Sequence, residues 1–318
     1  MNRLLNFDDF ITEGVADQYP SLKKVYLCTK RSSGQRWWSY KGFAGSKFFI
    51  QVTENNIDEI DINPDYPLLN YQSEIVNQLL SEGRIKSENV YNHPDVIKLS
   101  GSKAEFHKLV GHSQYVPTTV LTKKKALGLS FPVIAKPASR HSGLGIQVFK
   151  TAAELDAADE SLFDTYSEFV DKAEEHRFFC FRGSPFFWMQ RLPSNGKAKT
   201  GKGDSEEQME FKYILRNADQ VPAEYQKVLK KFCDTFDKFP FICFDVMKDK
   251  KGSVFIIESN AQPGVPFNST VRMYEHIYED FYGKPLDDHS KGKLDEYSAA
   301  MIEKTQEKDP VRFSVNLK

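Results

Sequence analysis

Residues Phe241 to Gly264 read FICFDVMKDKKGSVFIIESNAQPG, and this stretch decides the fold. Two apolar runs, Phe241 to Met247 and Val254 to Ile257, flank the polar segment KDKKGS. The pattern predicts a β-hairpin closed by a two-residue Lys251-Gly252 turn, with glycine in the left-handed position. In that register Asp245 stands opposite Glu258. Side chains alternate along a strand, so Glu258 and Asn260 are expected on one face with Ile256, and Asp245 on one face with Cys243 and Phe241. Three oxygen donors then converge. Burying two carboxylates side by side is costly, or forces a pKa up, unless a cation compensates. Magnesium is the expected cation, because it takes hard oxygen ligands and leaves positions for water and substrate phosphates. For the hairpin taken alone, a solvated strand end carrying ordinary acids is the alternative.

The hairpin belongs to a chain of 318 residues, long enough for two or three domains. Hydrophobic residues make up 40% and charged ones 27%, which is a globular composition, and 43 basic against 44 acidic side chains create no field that would point to nucleic acid or an anionic membrane. Cys28, Cys180, Cys233 and Cys243 form no CxxC pair and stand mostly among apolar neighbours. They read as reduced core thiols in a cytoplasmic setting rather than as disulfides. No apolar run approaches the length of a membrane span, and the amino terminus has no secretory hydrophobic core.

Upstream, MNRLLNFDDFITEG is an amphipathic segment with Leu4, Leu5, Phe7, Phe10 and Ile11 near helical spacing. It resembles the capsid-targeting peptides of proteins packaged in the heads of large tailed phages, with Ile11, Thr12 and Glu13 at the cleavage position. Strand-like KVYLC and KFFIQV and a helix near Tyr71 to Leu80 predict a small α/β domain, with Trp37, Trp38 and Tyr40 as core, partner contact or stacking surface. VYNHPDVIKLSGSKAEFHKLV, Val90 to Val110, reads as strand, turn and helices, with Ser102 able to cap the helix of Lys103.

FPVIAKPASRHSGLGIQVFK, Phe131 to Lys150, is a strand ending at Lys136, a small-residue loop, and a second strand from Gly145. Ser139, Ser142, Gly143 and Gly145 let backbone N–H groups surround an anion, which suggests a phosphate cradle. An ordinary turn beside a strand-end lysine is the alternative. Neither GxxxxGK[ST] nor GxGxxG is present. Beyond it, TYSEFVD and EEHRFFCFRG read as strands, PFFWMQRL brings Arg191 to the polar loop SNGKAKTGKGDSEEQ, and Val221 to Phe239 reads as a helix. Ser269 to Tyr282 and Leu294 to Ile302 are two more helices, and RFSVN a last strand.

In order and spacing, NHPDVIKLSGSK, FPVIAKP with its SxxSGxG loop, SEFVD followed by EHRFFCFRG, and FDV followed by ESNAQPG resemble the ATP-grasp ligases, of the RimK-like and glutathione-synthetase-like branch. The resemblance covers roughly Val90 to Tyr282. It implies an α/β (α+β) fold whose two lobes, 99–166 and 167–285, clasp ATP. An amphipathic segment, 1–14, and a small α/β domain, 15–98, precede the lobes, and a tail, 286–318, packs on the core.

Position by position, the resemblance makes Lys103 and Lys136 the nucleotide-phosphate lysines and the Ser139 to Gly145 loop a flap over the phosphates. Adenine would lie against Ser167 to Val170, so that Glu168, Phe169, Val170 and Asp171 bind cofactor, with Asp171 or Glu174 at the ribose. Asp245, Glu258 and Asn260 match magnesium ligands, with Mn2+ as a substitute. Arg177 and Arg191 match positions facing the γ-phosphate or an acyl intermediate, and Lys212 another polar position. The SEFVD hinge lacks the amide residue that relatives more often place before the Glu, and Pro193 to Lys212 departs from the pattern. The implied activity is ATP- and Mg2+-dependent joining of a carboxylate to an amine through an acyl phosphate, with an amino acid, peptide or protein as acceptor. Small-molecule amide synthesis and a non-catalytic nucleotide-binding phage head protein are the alternatives. The implied location is cytoplasmic, in a host cell if the chain is phage-encoded, with virion packaging as a variant.

Overall fold

The structure is a computed structural model that describes residues 22, 24–29, 48–100, 103–137, 145–193, 211–265, 267–308 and 313–315. The chain divides into two units, Met1–Asp95 with Gln262–Thr305, and Val96–Ala261 with Gln306–Lys318. Ile11, Thr12, Glu13, the cluster Trp37, Trp38 and Tyr40, Ser102 and the 194–208 loop lie outside the described residues.

In the first unit β1 (Tyr26–Cys28), β2 (Ile50–Val52), β3 (Leu68–Asn70) and β4 (Val90–Tyr91) form a parallel sheet in the order β2-β1-β3-β4. The strands β1 and β3 are buried at every position, as central strands covered on both faces are. Periodicity does not reveal β3, because Leu-Leu-Asn carries no polar and apolar alternation. Helix α1 (Ser73–Ser81) turns Ile75, Val76 and Leu79 into this core.

Through α2 (Pro94–Ser100) the chain passes to the second unit, where α3 (Lys103–Val110) begins at one of the predicted lysines. Four antiparallel strands follow: β5 (Thr119–Val120), β6 (Val133–Lys136), β7 (Gln147–Phe149) and β8 (Thr165–Glu168), in the order β5-β8-β6-β7. With α4 (Lys123–Ala126) and α5 (Ala152–Asp156) they enclose Val133, Ala135, Phe149, Leu155 and Tyr166. The strand expected from Gly145 starts at Gln147, because Gly145 has φ +74°, outside the extended region.

A six-stranded sheet follows, whose first five strands are β9 (Lys172–Phe181), β10 (Ser184–Pro193), β11 (Phe211–Asn217), β12 (Phe241–Asp249) and β13 (Val254–Asn260). Helix α6 (Ala223–Thr235) lays Tyr225, Val228, Leu229 and Phe232 on one face, against Phe178, Trp188, Phe244, Val246 and Ile256. Full burial of each such phenylalanine contributes about 2 kcal/mol relative to exposure. This anchors one face of the sheet and leaves the odd-numbered residues of β9, β10 and β12 on the other. After α7 (Phe267–Tyr282) and α8 (Asp288–Lys308), β14 (Phe313–Val315) completes the order β13-β12-β9-β10-β11-β14, pairing in parallel with β11. No helix among the described residues is long and apolar enough to cross a membrane.

The hairpin itself differs from expectation in two compensating ways. Its loop has three residues, Lys250, Lys251 and Gly252: the Asp249 N–H donates to the Ser253 carbonyl at 2.9 Å, and the Gly252 N–H to the Asp249 carbonyl at 3.1 Å. Gly252 has φ +88°, the left-handed residue that a three-residue hairpin loop requires. The Asp249 carboxylate locks the loop by accepting from the N–H groups of Lys251 and Ser253. The extra loop residue shifts the ladder by one, so Lys248 pairs with Val254 and Val246 with Ile256. A bulge then restores the original register, and Asp245 pairs with Glu258 with Ile257 left over. Glu258 therefore does not share a face with Ile256 as simple alternation predicts: Ile256 packs with Val246 on the helix side, and Glu258 stands on the side of Asp245.

Candidate active site

Glu258, Asp245 and Arg177 form one row across β13, β12 and β9. Arg177 Nε donates to Asp245 Oδ1 at 2.6 Å and Nη2 to Oδ2 at 2.7 Å, a bidentate fork. The two side chains are 15% and 12% exposed, so this is no surface ion pair. Burial would raise the Asp245 carboxyl, but Arg177 overrides it and holds Asp245 well below the usual carboxylate range. Arg177 is thereby committed. Glu258 is pushed up by burial and by the charge on Asp245, against the pull of Lys136 and Lys103.

The pair therefore resists carrying two charges, and a divalent cation is the species that relieves it. Asn260, opposite Cys243 on the same face, adds an amide oxygen. Among the described residues no three His, Cys, Asp or Glu side chains group into a metal cage. Two carboxylates and an amide, completed by water and phosphate oxygens, suit magnesium or manganese better than a closed structural site.

Lys136 ends β6 opposite Thr165 and is 9% exposed. Among the described residues its ammonium makes no hydrogen bond. Burial lowers its pKa, Glu258 opposes that, and Lys103 at the start of α3 adds to it. One turn beyond Lys103, His107 is buried with Nδ1 unpartnered, and burial and Lys136 push its imidazole down to about 4. Two ammonium groups thus sit within electrostatic reach of Glu258 with donors to spare, an arrangement that a phosphate would satisfy.

The segment expected to be the hinge is Glu168, the last residue of β8, with Phe169, Val170 and Asp171, which lead into β9. The Glu168 N–H donates to the Thr118 carbonyl and the Phe169 N–H to the Pro132 carbonyl, whereas among the described residues no other backbone group takes up the N–H or C=O of Val170. Asp171 is tied to the hairpin loop, its carboxylate 2.9 Å from Lys250 Nζ and its carbonyl accepting from the Lys250 N–H. A cavity of about 580 Å³ opens here, lined by all four hinge residues, Thr118 and Phe255 among others. It lies at the loop end of β12, and four residues at 3.3 Å each put it about 13 Å from Asp245.

Not every predicted residue joins this set. Glu174 lies on the helix side, its carboxylate bonded to His176 Nε2 at 2.9 Å and to the Tyr225 hydroxyl at 3.1 Å. The neighbouring acid Glu175 is on the face of Arg177 and bonds Arg191. Lys212 pairs in register with Leu192, one position from the pair Arg191–Tyr213. Ser139, Ser142 and Gly143 lie outside the described residues. Glu175, Lys172 and His107 escape the sequence reading. Glu175 had a signal, its position two residues before Arg177 on one strand, but a bulge and a buried imidazole leave none.

No family model matches the chain, and no curated relative does. Its backbone is similar to D-alanine–D-alanine ligase from Bacillus anthracis, with TM-score 0.55 and 16% identity over 81% of this chain and 95% of that one. The same enzyme complexed with ATP gives 0.54. N5-carboxyaminoimidazole ribonucleotide synthetase from Thermotoga maritima gives 0.53 and 12% identity, over 83% and 77%. A RiPP-associated ATP-grasp ligase from Chryseobacterium gregarium, in complex with ADP and a leader and core peptide, gives 0.54 and 13%, over 83% and 98%. Identities this low establish likeness of fold.

Proposed function

Given that the chain has the ATP-grasp fold of these structures, we propose that it is an ATP- and magnesium-dependent carboxylate–amine ligase. The observation that carries this reading is the buried, opposed pair Asp245 and Glu258, with Lys136 and Lys103 within electrostatic reach. The hinge cavity lies at the loop end of the β12–β13 pair and the carboxylate pair about 13 Å along it, a span suited to a nucleoside triphosphate. Val170 offers backbone groups to the base, and Lys103 and Lys136 offer ammonium donors to the phosphates. Asp245, Glu258 and Asn260 would hold the magnesium, which supplies charge neutralisation at the transferring phosphoryl group.

In this reading a substrate carboxylate attacks the γ-phosphate, an amine displaces phosphate from the acyl phosphate, and ADP leaves. The chain's own part is electrostatic and orienting, and no side-chain nucleophile is needed. Arg177 fixes Asp245, while Arg191 lies on the same face toward the outer strands. A peptide or protein acceptor is supported by the Chryseobacterium neighbour, which was solved with its leader and core peptide. Four buried, unpaired cysteines fit a reducing cytoplasm.

The test is phosphate release from Mg-ATP with pooled amino acids, small amines and peptides, with the nucleotide product identified. Substrate-stimulated ADP and phosphate are expected. AMP and pyrophosphate would overturn the acyl-phosphate route.

A further inference from the structure

The row beside Asp245 and Arg177, on the same face, carries Met247, Glu175 and Arg191. Glu175 is buried and engages both of its oxygens: Oε1 accepts from Arg191 Nη1 at 2.5 Å and Oε2 from Lys172 Nζ at 2.6 Å. Burial would raise this carboxyl, yet Arg191 and Lys172 together hold it below its ordinary value. Lys172 reaches Glu175 through a second irregularity of the sheet. The β12–β9 ladder shifts between Lys248 and Asp249, so that Glu174 pairs with Lys248 and Lys172 with Asp249, leaving Ala173 over. Strict alternation would have sent Lys172 to the helix side with Glu174.

Resting on the nucleotide reading of this face, we propose that Glu175 is a positioning residue. One carboxylate holds two cations, Lys172 next to the hinge and Arg191 toward the outer strands, so that both stay on the nucleotide face. The bonds to Glu175 set the direction of the Arg191 guanidinium and of the Lys172 ammonium. Glu175 acts on the triphosphate through these cations, not by touching it.

A plain field effect predicts the opposite sign, which makes the role testable. A carboxylate that merely lay near a polyanion would repel it, and neutralising that carboxylate would tighten binding. A carboxylate that positions cations weakens binding when lost.

The experiment is calorimetric titration of the full chain with magnesium and either ADP or a non-hydrolysable ATP analogue, for wild type, Glu175→Gln, Arg191→Gln and the double variant. Glu175→Gln is expected to weaken the ATP analogue about tenfold, with most of that loss gone when Arg191 is already Gln, as coupled residues behave. ADP should lose less. Unchanged or tighter analogue binding by Glu175→Gln, or an equal loss in the Arg191→Gln background, overturns the proposal. If Glu175→Gln does not fold, Glu175→Asp carries the test, since it keeps the charge and shortens the reach: lost affinity supports positioning, and retained affinity overturns it. Wild type that binds neither nucleotide would overturn the ligase reading itself and this inference with it.

Discussion

Glu258 faces Asp245 because Ile257 stands out of the ladder between β12 and β13. Without that bulge the three-residue loop would set Ile257 opposite Asp245 and Glu258 opposite Phe244, on the side packed by α6. The bulge thus turns a hairpin into a paired-carboxylate site. Glu258→Gln deletes the second charge at nearly constant volume. Magnesium-dependent ADP formation should fall on the order of a hundredfold or more, while the melting temperature stays level or rises, because burial and Asp245 already disfavour the Glu258 charge. A magnesium titration of turnover beside thermal melts decides this, and full activity would refute the metal assignment.

Arg177 is the compensating charge for Asp245, and losing it leaves a buried carboxylate alone. Arg177→Met should destabilise the fold by about 3–5 kcal/mol. Adding Asp245→Asn removes the stranded charge and should recover most of that loss. Urea denaturation of the two variants is the measurement, and a double variant no more stable than the single would show that packing, not charge, dominates at this position.

Lys136 is buried without a hydrogen bond among the described residues, an expense to the fold that a phosphate would offset. Lys136→Ala should therefore weaken Mg-ATP binding by about ten- to a hundredfold, the loss of a charge-assisted contact in a dry site, without lowering stability to match. Calorimetric affinities compared with denaturation midpoints separate the two effects. Unchanged ATP affinity would count against the phosphate reading of Lys136.

How much of this was legible follows from which signals are local. The facing of Asp245 and Glu258 could be read because apolar runs and a Lys-Gly turn bracket both acids, although the turn is one residue longer than read and Ile257 restores the register. The apolar stripe Tyr225, Val228, Leu229 and Phe232 gave α6, since helical spacing survives in sequence. Glu175 was legible on the face of Arg177, because it stands two residues before it on β9 with no irregularity between them, whereas the shift at Ala173 lies upstream of both. The same shift hides Lys172. His107 reads as an ordinary helix residue until tertiary packing sets it beside Lys136.

His107 gives the site a pH signature apart from the metal ligands. Its imidazole titrates near 4 in the folded chain, against about 6.5 when unfolded. Above pH 6.5 both states are neutral at this position and its contribution is fully present. As pH falls from 6.5, the unfolded chain takes up a proton that the folded chain refuses, so stability declines until the folded group also protonates near 4. The whole decline is about 3 kcal/mol at most. His176 and His276 are also held low, chiefly by burial, so the wild-type curve contains their contributions as well. The informative quantity is therefore the difference between wild type and His107→Leu, from urea denaturation at pH 7.5, 6, 5 and 4. That difference should shift in favour of the variant on acidification, by most of the stated amount. Parallel curves would place His107 in a wetter setting than its buried, unpartnered Nδ1 indicates.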